Sequence, residues 1–145
     1  MKRERLIQHL AVAFAAALVV YGIAFGVIDF LRTRKGGWEV GFQTDPSGVP
    51  ALTVSQPWLG ITNVTFRFPG RHSTQTNLQR TIVFDQPTTN VPFGRVVYLD
   101  TTFLPGSVVF DMFGHEIQLL PRVLLVDRHE TPWQSGTTIH LSSER

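Results

Sequence analysis

The stretch that decides the fold is Leu10 to Ile28, LAVAFAAALVVYGIAFGVI, which contains neither a charged residue nor a proline. A hydrocarbon core about 30 Å thick needs about 20 apolar residues in a helix, and the helix must satisfy its own backbone hydrogen bonds because lipid offers none. His9 and Asp29 fall at the two interfaces, where polar groups reach water. The pattern predicts one transmembrane α-helix over residues 6–31.

A cleaved signal peptide is the competing interpretation of this run. Its apolar region would span about 7–15 residues and be followed by small residues at a cleavage site. Here the run is longer and ends in the sequence DFLR at residues 29–32, which favours an uncleaved signal-anchor.

The basic residues around the helix do not decide its orientation. Three precede it and three follow it, so the positive-inside rule gives a tie. We expect a cytoplasmic N-terminus, because a short head followed by a signal-anchor is the common arrangement. The remainder would then be periplasmic or extracellular. The predicted segments are a cytoplasmic head (1–5), the transmembrane helix (6–31), a basic linker with a Gly36-Gly37 hinge (32–37) and an extramembrane β domain (38–145).

One face of the predicted helix carries small residues at Ala11, Ala15, Gly22 and Gly26, and the last two form a GxxxG spacing. Small side chains let helix backbones approach closely in lipid, so this stripe predicts a helix-packing face. The alternative, that glycine and alanine are simply frequent in membrane helices, stays open. His9 is interpreted as a solvated interfacial residue, and no cofactor is predicted, although cofactor contact by His9 is undecided.

The chain after the linker has room for one compact core. Residues 36–145 hold seven basic and nine acidic side chains, a net charge near −2, so the high overall pI of the chain comes from the helix flanks. No basic surface is predicted for nucleic acid. The absence of cysteine excludes disulfides and cysteine metal sites.

Everything after the helix has the period of strands. Trp38, Val40 and Phe42 alternate with polar residues or glycine, which indicates a half-buried strand, and DPSG at residues 45–48 suits a turn. Further strands are expected at residues 52–55, 63–68, 81–84, 95–99, 107–120 (a hairpin), 123–126 and 137–141. Eight or nine short strands predict an antiparallel β-sandwich, with a small β-barrel as the alternative.

Two of these strands carry finer predictions. In the hairpin, Gly114-His115 suits a two-residue turn that pairs Met112 with Ile117 and leaves His115 exposed at the tip. The strand at residues 95–99 is apolar on both faces, which is typical of a central, doubly covered strand.

No catalytic motif is present. His115-Glu116 lacks the second histidine of HExxH, no serine lies in GxSxG, and the aspartates are scattered near strand ends. The prediction is a protein that is not an enzyme and holds no metal.

The proline- and glycine-flanked aromatic residues Trp58, Trp133 and Phe93 are the predicted partner contacts, because loop aromatics bury a large area at low entropic cost. The alternative is that they fold back to plug the ends of the sandwich.

These features together predict a non-catalytic, single-span accessory or scaffolding subunit of a larger membrane protein complex. Its partners would be other membrane protein subunits and the lipid bilayer. The alternative is a membrane-tethered module that binds a ligand or the cell envelope.

Overall fold

The computed structural model describes residues 2–142. It contains a helix, α1 (Lys2–Thr33), a short 3₁₀ turn (Pro57–Leu59) and ten strands. The strands are β1 (Trp38–Thr44), β2 (Pro50–Gln56), β3 (Ile61–Arg67), β4 (Gln79–Phe84), β5 (Arg95–Asp100), β6 (Ser107–Met112), β7 (His115–Leu119), β8 (Leu124–Val126), β9 (His129–Thr131) and β10 (Thr138–His140). The predicted fold class, one N-terminal helix followed by an all-β domain, is confirmed.

Helix α1 is long and apolar enough to cross a bilayer, and none of its described side chains is buried by the rest of the chain. Its 32 residues span about 48 Å at 1.5 Å per residue. The helix is longer than predicted, because residues 2–5 are good helix formers and nothing in them ends the helix. Residues 2–5 and 32–33 are helical and continuous with the predicted membrane segment, and Met1 lies outside the described residues.

The strands form two five-stranded sheets that pack face to face. One has the order β10-β3-β2-β1-β4 and the other β5-β6-β7-β8-β9. All pairs are antiparallel except β10 with β3, which run parallel. Strand β9, sequence HET, was not predicted because three residues without apolar alternation carry no strand pattern.

The core lies between the sheets and is filled by the inward residues of each strand. Phe110 meets Phe42 and Phe84 edge to face, with ring centroids 6.3 and 5.4 Å away. The alternation predicted for β1 to β3 is confirmed by the burial of Trp38, Val40, Phe42, Leu52, Val54, Val64 and Phe66.

The β6–β7 hairpin forms, but its predicted register is wrong. The turn is Phe113-Gly114, not Gly114-His115, and Met112 pairs with His115 rather than with Ile117. Phe113 and Gly114 have φ values of +54° and +84°, as a type I′ turn requires at both central residues. The shift is two positions, so the same side chains still face the core.

Strand β5 lies at the edge of its sheet rather than at the centre. Its register with β6 shifts between Val96 and Tyr98, a bulge that leaves Val97 and Tyr98 exposed. The apolar residues on both faces therefore reflect a surface that the described chain does not cover.

The loops gather at two ends of the sandwich, and α1 joins one of them. Strand β1 begins directly after the linker, Trp38 pairs with Phe84 at the end of β4, and Trp38 Nε1 donates a hydrogen bond to the Gly106 carbonyl. We call this end, which includes loops 57–60 and 101–106, the helix end. The far end includes the loops at 45–49, 68–78 and 113–114.

Candidate interaction surfaces

The linker between helix and sandwich is held in place by one buried side chain. Gln56, at the end of β2, is fully buried. Its Nε2 donates to the carbonyl of Gly36 at 2.9 Å and to those of Lys35 and Gly37 at 3.2 Å each, while its Oε1 accepts the Trp58 backbone N–H at 2.9 Å. The two N–H groups of this amide are thus shared among three consecutive linker carbonyls.

Two further contacts fix the end of α1 on the sandwich. The Leu104 N–H donates to the Arg32 carbonyl at 2.8 Å, which caps an orphan carbonyl of the last helical turn. A Cβ at Gly37 would overlap the backbone of Phe84 and Asp85, so the chain passes there in direct contact with β4. In this structure the predicted Gly36-Gly37 linker therefore lies against the sandwich and is bonded to it.

The side chain of Arg34 completes this junction. Its guanidinium carbon lies 5.0 Å from the ring centroid of Trp58, a cation–π contact worth about 0.5–1 kcal/mol at an exposed site. Trp58 itself is 53% exposed. It keeps the exposure expected of a partner-contact residue, and its ring is in contact with Arg34 of the same chain.

The other two predicted contact residues fold back onto the domain. Phe93 is buried, with its ring between Phe42 (5.6 Å) and Phe113 (5.7 Å). Trp133 stacks on Trp38 at 5.2 Å, and its Nε1 donates to the Leu120 carbonyl at 2.8 Å. In this fold both aromatics plug the sandwich, so we retain Trp58 alone as a candidate contact.

The predicted helix-packing residues lie on one stripe of α1. At about 100° per residue, Ala11, Ala15, Gly22 and Gly26 fall within about 60° of each other around the axis. All four are exposed, and nothing lies within 4 Å of a Cβ built on either glycine. The stripe is open to a neighbouring helix along its length, with Leu18 between the two small pairs.

The outer face of the first sheet forms a shallow polar trough of about 450 Å³. Gly41 lies between Thr53 and Thr81 in the register, and its missing side chain deepens the centre. The trough is lined by polar side chains: Glu39, Gln43, Thr53, Ser55, Asn63, Thr65, Gln79, Arg80 and Thr81. Such a surface offers hydrogen bonds to hydroxyl or amide groups of an extended ligand, without a catalytic arrangement of carboxylates or histidines.

One histidine is placed differently from its prediction. His115 is buried rather than exposed, with Nδ1 2.7 Å from Asp127 Oδ2 and Nε2 donating to the Ser142 carbonyl at 3.1 Å. Both ring nitrogens are engaged, so the group links β7 to the chain after β10. Across residues 2–142, no three His, Asp or Glu side chains cluster as a metal site would require.

Two aspartates are held ionised by turn hydrogen bonds. The hydroxyl of Ser47 and the backbone N–H of Val49 hold the pKa of Asp45 below its ordinary value. The backbone N–H and hydroxyl of Thr102 do the same for the pKa of Asp100. Both carboxylates serve as structural caps of turns.

Gln56 is the residue of this region that sequence reasoning missed. A signal was present, because Gln56 is in phase with the inward Leu52 and Val54, and a polar residue at an inward position needs partners. The pattern does not show which partners those are.

Comparison with known proteins was negative: no family model, curated protein or solved structure matches the chain. Its function is therefore inferred from the junction, the small-residue stripe, the β5 edge and the trough.

Proposed function

We propose that this chain is a non-catalytic, single-span accessory or scaffolding subunit of a larger membrane protein complex. In this role α1 packs against neighbouring helices, and the β domain docks on a partner outside the membrane. The observation that carries the proposal is the fixed junction, in which Gln56 and Leu104 bind backbone carbonyls of the helix end and linker.

A fixed junction favours a subunit that docks on a partner over a tethered module that searches for a ligand. A tethered module that explores its surroundings gains from a flexible linker, whereas a subunit that must engage partners in and outside the membrane gains from preorganisation, since less freedom is lost on binding. The same contacts support an uncleaved helix, because removing α1 would leave Leu104 and the junction without the helix end.

Two surfaces support the interaction role. The stripe of Ala11, Ala15, Gly22 and Gly26 is open for close helix packing. On the β domain, Val97 and Tyr98 are 56% and 57% exposed on edge strand β5. Exposed apolar side chains beside unpaired edge backbone are typical of a surface that a partner covers.

The proposed orientation has the N-terminus in the cytoplasm and the β domain in the periplasm or outside the cell. An impermeant thiol reagent applied to a chain with Ser73→Cys tests it, because Ser73 lies in an exposed loop at the far end. Labelling of intact cells is expected; labelling only after lysis would contradict this orientation.

Native size separation after gentle solubilisation tests complex membership. The chain is expected to migrate well above its own 16.3 kDa mass together with other membrane proteins. Ala15→Leu, on the small-residue stripe, should reduce recovery of the complex, as should Gly22→Leu and Gly26→Leu. Ala24→Leu is the matched control, because at about 100° per residue it lies on the opposite face of α1. Migration as a lone monomer would contradict the proposal.

The alternative function, a membrane-tethered module for a ligand or the cell envelope, is favoured by one observation, the polar trough on the first sheet. It predicts that Thr53→Arg, at the centre of the trough, abolishes binding to envelope fractions. Val97→Arg, on the β5 edge, would leave that binding intact. The opposite pattern, loss of complex recovery with Val97→Arg alone, supports the subunit role.

A further inference from the structure

The helix end of the sandwich carries exposed aromatic side chains on two separate loops. Trp58 is 53% exposed on the loop after β2, and Phe103 is 61% exposed on the loop after β5. Both loops contact the end of α1 directly: Trp58 lies against Arg34, and the residue after Phe103 caps the Arg32 carbonyl. The aromatic pair therefore flanks the point where the helix enters the domain.

The place where α1 enters the domain determines how deep Trp58 and Phe103 lie relative to the bilayer. The last apolar residues of the helix are Phe30 and Leu31. The helix ends two residues further at Thr33, about 3 Å along the axis at 1.5 Å per residue, and Arg34 and Lys35 follow directly. The headgroup layer on each side of a bilayer is about 5–7 Å thick. If α1 spans a bilayer, loops bonded to residues 32–37 lie within or against that layer.

Charge at the helix end matches phospholipid headgroups. Arg32 is paired with Asp29 at 2.8 Å, but in residues 2–142 no carboxylate lies within 4 Å of Arg34 or Lys35. Asp85 is also at this end, beside Gly37, and Asp100 is bonded to the Thr102 N–H. Basic groups beside exposed tryptophan and phenylalanine are the combination that anchors proteins at a membrane interface.

We propose that Trp58 and Phe103, with Arg34 and Lys35, form a membrane-seating lip that rests in the phospholipid headgroup layer around α1. This proposal depends on the membrane insertion of α1 in the proposed function, and it also predicts how the domain is oriented. Because the junction is fixed, seating the lip holds the domain at one orientation on the bilayer, with the far end and its 45–49 turn pointing away from the membrane.

Quenching by brominated phosphatidylcholine tests the lip in the full chain reconstituted into phosphatidylcholine–phosphatidylglycerol vesicles. Brominated lipid is expected to quench the native chain more than Trp58→Phe, which removes the exposed tryptophan and leaves the two packed ones. In the Trp58→Phe background, Phe103→Trp should restore the quenched component. His72→Trp in the same background is the control, because residue 72 lies in the exposed far-end loop. Quenching at positions 58 and 103 should be severalfold stronger than at 72.

Two other outcomes overturn the proposal and are distinguishable. If the chain resists alkaline carbonate extraction but positions 58 and 103 are quenched no more than 72, the lip is wrong and membrane insertion stands. If carbonate extracts the chain, membrane insertion and the lip both fail.

Discussion

At the scale of single residues, Gln56 connects the linker to the sandwich. It is a polar side chain in an inward strand position, and it joins three linker carbonyls to the end of β2. A leucine of similar volume would fit the space but would leave those carbonyls without a donor. The junction therefore depends on hydrogen bonding at a position where sequence pattern alone favours an apolar residue.

Gln56→Leu is expected to lower the free energy of unfolding by about 1–3 kcal/mol, the cost of leaving buried polar groups unsatisfied. Thermal unfolding of the full chain in detergent, followed by near-ultraviolet circular dichroism, measures it. Gln43→Leu is the matched control, because Gln43 is exposed on the outer face of β1. Equal effects of the two variants would show that the junction adds no stability.

Asp45 makes stability depend on pH. Its pKa is lowered below the ordinary 3.8 by hydrogen bonds from Ser47 and Val49, so the folded state binds the proton more weakly than the unfolded one. This contribution is present at pH above the unfolded pKa and is lost as pH falls through the folded pKa. The gap in melting temperature between the native chain and Asp45→Asn should therefore be largest near neutrality and shrink in acid. Asp85→Asn, outside any side-chain hydrogen bond described, serves as the control; a gap that does not change with pH would contradict the role of Asp45.

At the scale of elements, the β6–β7 hairpin shows what local pattern can and cannot predict. Apolar alternation identified the two strands and the face each presents, because side chains alternate with a period of two. The turn was misplaced because Phe113 adopts φ +54°, which is uncommon for a bulky residue. Packing of its ring on Phe68, at 5.0 Å, and on Phe93 favours that conformation.

Gly114→Ala should destabilise the domain by about 1–2 kcal/mol, because the left-handed conformation at φ +84° is strained for any residue with a Cβ. Nothing lies within 4 Å of the added methyl group, so the effect isolates backbone strain. Gly41→Ala is the control: its Cβ would make ordinary contacts in β1, and it should be neutral or stabilising by about 0.5–1 kcal/mol. Urea unfolding distinguishes the two, and a stable Gly114→Ala chain would refute the type I′ turn.

At the scale of the whole molecule, residues 32–37 join the helix to the β domain through hydrogen bonds and backbone contacts. Contacts from β2, the β4 end and the β5–β6 loop all converge on this segment. The position of the domain relative to α1 is thereby set by the fold, which is the property that the proposed subunit role uses.

A short Gly-Ser insertion between Lys35 and Gly36 should separate the two roles considered for this chain. It is expected to leave the β domain folded but to reduce recovery of the complex, because the docking surfaces lose their fixed relation. The same insertion between Arg71 and His72, in an exposed far-end loop, is the control and should leave recovery unchanged. Full recovery with both insertions would favour a flexibly tethered binding module instead.

The sequence by itself determined the helix and the class of the domain, since both follow from local periodicity: a run of apolar residues in α1, and alternation from Trp38 onward. Only the tertiary structure decided the contacts of the linker, the edge position of β5 and the burial of His115. Each depends on partners far away in the chain, such as Leu104 for Arg32 and Ser142 for His115. The local sequence pattern shows which face of an element is apolar. It does not show which distant backbone group will bond a polar side chain, because that depends on how the sheets pack.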